Sequence, residues 1–355
     1  MAPLKTGGDQ TGMPLNRDTL LSLQCAKVFN DNEKHITSLD FDWGGELCIT
    51  ASEDDTMHVY DCQRGVETRL VRSAKYGCHL ARFTHKSSTI IYASTKQDHA
   101  IRYMSLHDNK FLKYFRGHED RVVSLEMSPQ NDNFLSGSMD GTVRVWDLGA
   151  THCQGRLSIP DNHRPSVAWD QSGQVFAVAY SNIVKLYGIN SFDKGPFETF
   201  KIPKHPGDMP LITAISFSND GNRILVSTAG QEHYVLNAFK GFLTHKLVGH
   251  FNENQEELVA GFTPDSRFVL CGSQTGGIHF WDLGQSPTDG QNESAPPEHR
   301  DLTVKSMSEC GGHEDTTRAV GFNPKYAMMV TADSSLVCFF FVALDWFHDN
   351  DLDSP

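Results

Sequence analysis

Short runs of alternating apolar and polar residues, bounded by turn residues, recur along almost the whole chain. Val122-Val123-Ser124-Leu125-Glu126-Met127 alternates with the period of two that predicts a half-buried strand. Ser128-Pro129 to Asn133 reads as a turn, and Phe134-Leu135-Ser136-Gly137-Ser138 as a second strand. Asp140-Gly141 is a hairpin turn signal, and Thr142-Val143-Arg144-Val145-Trp146-Asp147 is a third strand.

The same three-strand phrase recurs before and after this copy. Ile36–Phe41, Leu47–Ser52 and Met57–Asp61 form the first copy, and His79–Phe83, Ile90–Ser94 and Ala100–Tyr103 the second. After the quoted copy come Ser166–Trp169, Val175–Tyr180 and Ile183–Tyr187, then Ile212–Phe217, Ile224–Thr228 and His233–Asn237. The sixth is Leu258–Phe262, Phe268–Ser273 and Ile278–Asp282; the seventh is Ala319–Phe322, Met328–Ala332 and Leu336–Phe340. A period of about 40–50 residues, apart from one longer gap before the last copy, with short strands and Trp-Asp endings is the signature of WD-type propeller blades. A lone blade cannot bury both faces of its sheet, so blades pack radially.

The expected fold is therefore all-β, a seven-bladed WD-repeat β-propeller. A fourth, outer strand should follow each third strand, as Phe111–Phe115 does after the second copy. The last copy has no such segment, because the chain turns acidic in DWFHDNDLDSP. Leu23–Phe29 can supply it, so the ring is expected to close by an N-terminal strand pairing with the C-terminal blade, which removes two open edges. The expected organisation is a disordered extension over 1–17, the propeller over 18–345 with a mobile insertion at 285–300, and an acidic tail at 346–355.

Composition narrows the function. The 355 residues carry a formal net charge of −13, which argues against general binding to nucleic acid or an anionic membrane. The N-terminus lacks the apolar segment of a signal peptide, and the longest apolar run, Leu336–Leu344, is far below the roughly 18 residues of a membrane span. Eight cysteines without a CxxC pair read as reduced structural thiols of an intracellular protein, not as metal ligands. No metal, cofactor or catalytic residue is expected.

His118, Ser136, Ser138 and Asp140 are the residue types of a hydrolase triad, yet no G-x-S-x-G elbow surrounds either serine. Their spacing instead places them, with Trp146, in one hydrogen-bonded network inside a blade. Removing His118 should then cost stability, about 1–3 kcal/mol. The set decays elsewhere: His313 and Asp333 recur with Phe339 at the Trp position. His250 and Trp281 have Thr275 at the Asp position, and Asp54 and Tyr60 have Asn32 at the His position. A packing device tolerates such decay and a catalytic one does not.

Basic residues gather in the loops leading into the blades: Arg72, Lys75 and Tyr76; Arg116 and Arg121; His163 and Arg164; Lys204 and His205. If these loops share a face, they form a positive patch able to hold a phosphorylated peptide. The longer loop HFNENQEE, 250–257, offers acidic and amide groups that suit a basic partner.

Several strings between the repeat words are not generic: Lys75-Tyr76-Gly77, Ser105-Leu106-His107-Asp108-Asn109-Lys110, Phe192-Asp193-Lys194-Gly195-Pro196-Phe197 and Ala238-Phe239-Lys240-Gly241. From about Leu20 to Leu344 the chain resembles the WD-repeat subunit shared by COMPASS-type histone H3 lysine-4 methyltransferase and, in fungi, the mRNA cleavage and polyadenylation factor. The resemblance implies a non-catalytic nuclear scaffold that binds the N-terminal region of the methyltransferase catalytic subunit. It also implies contact with the phosphorylated C-terminal tail of RNA polymerase II and with cleavage and polyadenylation factor subunits, and roles in mRNA 3′-end processing and transcription termination. A propeller adaptor of another assembly, such as a ubiquitin ligase, is the alternative the repeat alone allows.

Overall fold

The structure, a computed structural model, describes residues 15–202, 210–284, 302–307, 309–310 and 312–341. The expected acidic tail at 346–355 and the insertion at 285–300 lie outside these residues, as do Lys204 and His205. The strands form seven antiparallel-cored sheets. Six take a four-strand meander from a single stretch of chain, for example Ile36–Phe41, Leu47–Ser52, Thr56–Asp61 and Val66–Arg72 in the first. The remaining sheet is composite. The last copy gives it only three strands, and Leu23–Phe29 pairs antiparallel with Leu336–Phe341, from Leu23 opposite Phe341 to Phe29 opposite Leu336.

The first strands of six sheets line one cavity of about 680 Å³, and Glu256, Glu257 and Val259, just before the first strand of the sixth sheet, complete its wall. Each first strand has a sheet neighbour on one side only, so its outward N–H groups need another partner. Side chains of the preceding sheet supply it. Ser124 Oγ and Glu126 Oε2 accept from the N–H groups of Val167 and Trp169 at 3.0 and 3.1 Å, a match of period two on both strands. Asp40 Oδ2 accepts from Phe83 N–H at 2.8 Å, and Ser166 Oγ from Ile215 N–H at 3.0 Å. Between neighbouring sheets the apolar faces interdigitate, as where Val178 and Phe176 of the fourth sheet meet Leu135 and Val145 of the third.

Two features depart from the sequence reading. Asn16 and Arg17, expected in the disordered extension, cap and begin a short helix, Arg17–Leu21. Asn16 Oδ1 accepts from Thr19 N–H at 2.9 Å, and buried Leu20 packs with Phe268, Leu270 and Phe322, which fixes the segment. Thr303–Lys305, just after the expected insertion, adds a parallel fifth strand to the outer edge of the fifth sheet, where Lys246 faces Thr303 and Val248 faces Lys305. Three residues with buried Val304 at their centre carry too little pattern to predict a strand.

Candidate functional site

In the third sheet Asp147-Leu148 ends the strand Thr142–Asp147, and Trp146 on that strand lies opposite Phe134 of its neighbour. Its indole N–H donates to Ser136 Oγ at 2.8 Å. Ser136 Oγ lies 2.7 Å from His118 Nε2, and His118 Nδ1 lies 2.9 Å from Asp140 Oδ2. The donors run one way: Trp146 N–H to Ser136, Ser136 O–H to His118 Nε2, and His118 Nδ1–H to the carboxylate. This assignment requires neutral imidazole. Burial, the largest influence, pulls the His118 pKa below its ordinary value, while the Asp140 hydrogen bond opposes it.

Burial tends to raise the Asp140 carboxyl, but hydrogen bonds from Thr142, His118 and Glu119 N–H prevail and hold it down at about 2. Thr142 Oγ1 sits 2.6 Å from Asp140 Oδ1, a member that the sequence reading missed although Thr-after-Asp-Gly was visible. Ser138 takes a different part. Its hydroxyl donates to Asp120 O at 2.8 Å and accepts from Asp140 N–H at 3.1 Å, which shapes the turn rather than joining the chain. Ser136 is fully buried, and none of these five side chains lines the central cavity. The serine oxygen is enclosed by indole and imidazole, with no space for a substrate carbonyl.

The partial copies differ as their residues dictate. His313 lies 2.9 Å from Asp333 Oδ1 and its Nε2 lies 2.8 Å from Thr331 Oγ1, so threonine replaces serine. His250, lacking an acid, turns to Gly230 O at 3.1 Å and stacks on His233 with centroids 4.3 Å apart. Trp281 accordingly donates to Val248 O instead of a serine. In the second sheet buried Arg102 fills the space. It is bonded to Asp98 at 2.9 and 3.1 Å and to Ser94, with its guanidinium 3.7 Å from the Tyr76 ring centre. In the first sheet Asp31, His58 and Glu67 place potential ligand atoms within 4.8 Å of one another. Both His58 nitrogens already have partners, Glu67 at 3.0 Å and Thr56 Oγ1 at 3.1 Å, which makes this a hydrogen-bonded cluster.

The basic residues fall into two settings, aromatic neighbourhoods and the cavity wall. Tyr76 and Arg116 belong to the aromatic group around Arg102: Lys75 lies over Tyr76 at 5.1 Å and Arg116 over Tyr114 at 5.4 Å. Phe111 and Tyr114, both exposed, complete that group, and exposed Arg72 ends the adjoining outer strand of the first sheet. His163 stacks on Tyr180 at 6.1 Å. Only Arg121 and Arg164 reach the central cavity, where they join Arg82 and His79 on its wall. The division follows from geometry: residues directly before a first strand point to the axis, and those nearer the preceding outer strand stay at the rim.

The cavity mouth is electrostatically ordered. Arg164 donates to Ile212 O at 2.9 Å and Thr213 O at 3.1 Å, and pairs with Glu257 at 2.9 Å across the opening. Arg318 pairs with Glu256 at 3.1 Å and Glu53 at 3.4 Å. Two of the three acidic groups of 250–257, read from sequence as suited to a basic partner, are thus matched by arginines of the chain itself, Glu256 by Arg318 and Glu257 by Arg164. Deeper in, burial drives His79 down to about 3, assisted by Arg121, Arg82 and Arg164. Burial likewise lifts Asp40 to about 6 and Glu126 to about 8, with Arg82 opposing both.

Radially packed meander sheets around a shared cavity, with His–Asp and Trp–Ser links inside them, define a WD40-repeat β-propeller. The WD domain, G-beta repeat family matches residues 23–61, 109–147 and 241–282. The chain is 41% identical over 317 residues to WD repeat-containing protein 82 of Drosophila melanogaster, covering 89% of this chain and 93% of that one. It is 35% identical to COMPASS component SWD2 of Saccharomyces cerevisiae, over 92% of this chain and 98% of the relative. Set1 complex component swd2 of Schizosaccharomyces pombe is 33% identical, over 92% and 99%. The chain belongs to the family of these WD-repeat proteins, the COMPASS WD-repeat subunits.

Proposed function

We propose that this protein is a non-catalytic, nuclear scaffold subunit of a histone H3 lysine-4 methyltransferase complex. The observation that carries the reading is the similarity to COMPASS component SWD2 across nearly the full length of both chains. The buried, internally satisfied His118–Ser136 pair supports a role without catalysis. The scaffold binds the N-terminal region of the methyltransferase catalytic subunit and brings the enzyme to transcribing RNA polymerase II through the phosphorylated tail. Contacts with cleavage and polyadenylation factor subunits give it a second role in 3′-end processing and termination. Arg121 and Arg164 are the cations best placed to meet phosphate, and Arg72, Lys75, Tyr76, Arg116 and His163 are secondary peptide contacts at the rim.

The sheets are read as the seven blades of one ring latched by the N-terminal strand. The pairing of Leu23–Phe29 with Leu336–Phe341 supports this, as does the bond from Ile36 N–H to Asp333 O between the first and last copies. The functional test is affinity capture from nuclear extract with mass spectrometry, using the full chain and its Arg121→Glu variant. Recovery of a lysine methyltransferase with both forms, and of RNA polymerase II with the unsubstituted form alone, is expected. Absence of the methyltransferase from both would refute the scaffold reading.

A further inference from the structure

The loop leading into the sixth sheet is built to deliver one carboxylate. Asn252 is buried and donates to Ala229 O and Glu256 O, both at 3.0 Å, while its Oδ1 accepts from Glu256 N–H at 2.9 Å. Gln255 is held in the left-handed region at φ 56°, a conformation that a non-glycine residue adopts only under such constraint. The Thr213 hydroxyl then fixes the Leu258 carbonyl at 2.6 Å. The result projects Glu257 over the cavity mouth onto Arg164.

The two partners are unlike in their fixity. Arg164 is oriented by two backbone carbonyls and its side chain is only 9% exposed, whereas Glu257 is 55% exposed and, among the described residues, its side chain pairs with Arg164 alone. Arg121, on the neighbouring sheet, lines the same mouth and makes no ion pair among the described residues. The mouth therefore holds a pre-aimed guanidinium and a second cation outside any ion pair among the described residues, with exposed Glu257 as the anion on that guanidinium, while Glu53 and Glu256 pair with Arg318. Such an arrangement has the charge of a site for an incoming anion and keeps a chain-borne anion in it.

We infer that Glu257 is an internal counterion occupying an anion site formed by Arg164 and Arg121, and that a phosphorylated side chain of a partner peptide binds there by displacing it. The inference rests on the phosphopeptide reading above and adds its regulation. A phosphate monoester carries more charge than a carboxylate and can bridge both arginines, so it wins the exchange where an unmodified acidic residue does not. Displacement frees the Glu257 side chain and leaves the Asn252 bonds that hold the loop backbone in place.

The test titrates a fluorescein-labelled peptide with one phosphoserine among neutral residues, and its unphosphorylated form, against the full chain. Glu257→Gln should tighten phosphopeptide binding about tenfold, the scale of one released competing ion pair, with the melting temperature unchanged. Adding Arg121→Gln to Glu257→Gln should abolish the gain. Arg121-dependent phosphopeptide binding that Glu257→Gln leaves unaltered would overturn the counterion while leaving the phosphopeptide reading in place. Equal binding of both peptides to every variant would remove the site itself. Inorganic phosphate competing as well as the peptide would show a free-anion site and overturn the displacement by a peptide.

Discussion

Replacing His118 by alanine tests whether the buried chain is a strut. The substitution removes two hydrogen bonds, to Ser136 Oγ and Asp140 Oδ2, and leaves an imidazole-sized void beside Trp146. Asp140 is not orphaned, because Thr142 Oγ1, Thr142 N–H and Glu119 N–H still donate to it at 2.6, 2.9 and 3.1 Å. Ser136 keeps the indole donor but loses the acceptor for its own proton, at a position with no exposure. One neutral and one charge-assisted bond contribute about 1 and about 2 kcal/mol, and the void adds of the order of 1 kcal/mol. The sum, about 4 kcal/mol before the site relaxes, should appear as a lower urea midpoint at pH 7 with unchanged slope.

The pH dependence gives an independent check on the same bonds. Asp140 is depressed from 3.8 to about 2, so its contribution is complete above pH 3.8 and is lost as pH falls through about 2. That interval corresponds to about 2 kcal/mol. His118 is also depressed, so its protonation below its ordinary range acts in the same direction. The alanine variant loses part of this acid sensitivity along with its stability. An unchanged midpoint at pH 7, within about 0.5 kcal/mol, would show that the network contributes nothing.

Two other substitutions probe the ring. Glu126 is raised from 4.5 to about 8, so the stability linked to its neutral form is complete below pH 4.5 and fades as pH rises through about 8. Glu126→Gln keeps an acceptor for Trp169 N–H, and should raise the thermal midpoint at pH 8 but not at pH 4; on the order of 2 kcal/mol is expected after allowance for water in the cavity. Removing residues 1–29 leaves Leu336–Phe341 without its outer partner, so hydrogen exchange there should accelerate and the melting temperature should fall. Unchanged exchange would sink the latch.

The strands were legible because every copy repeats short apolar-rich runs with turn residues between them: Asn133–Ser138 and Thr142–Asp147 lie where those runs put them, buried on both faces between neighbouring sheets instead of alternating. The complete tetrad was legible for the same reason, since one register fixes all its members. Thr303–Lys305 escaped because parallel pairing to an outer edge needs no pattern beyond one buried valine. The cavity charges escaped for a different reason. Arg164 and Glu257 stand 93 residues apart, and their pairing is a property of sheets packed around a shared cavity, which brings loops together that share no local signal. That Arg121 lines the cavity and Arg72 does not was equally hidden, because loop position along the chain does not give radius from the axis.

The distribution of polar groups has a mechanical consequence. Inside the sheets, hydrogen-bonding sets have been replaced piecemeal, by Arg102 with Asp98 in one and by stacked His233 and His250 in another, while the apolar contacts between sheets run unbroken. Each sheet is held on both faces by neighbours, so loss of one internal bond lowers stability without altering the shape presented at the rim. The mouth of the cavity lacks that redundancy. Its ion pairs join loops of the first, fourth, sixth and seventh copies, and each depends on single exposed carboxylates. A ligand that exchanges one of those carboxylates therefore meets a rigid frame with a replaceable counterion. Binding there can be regulated by charge alone, with no rearrangement of the sheets.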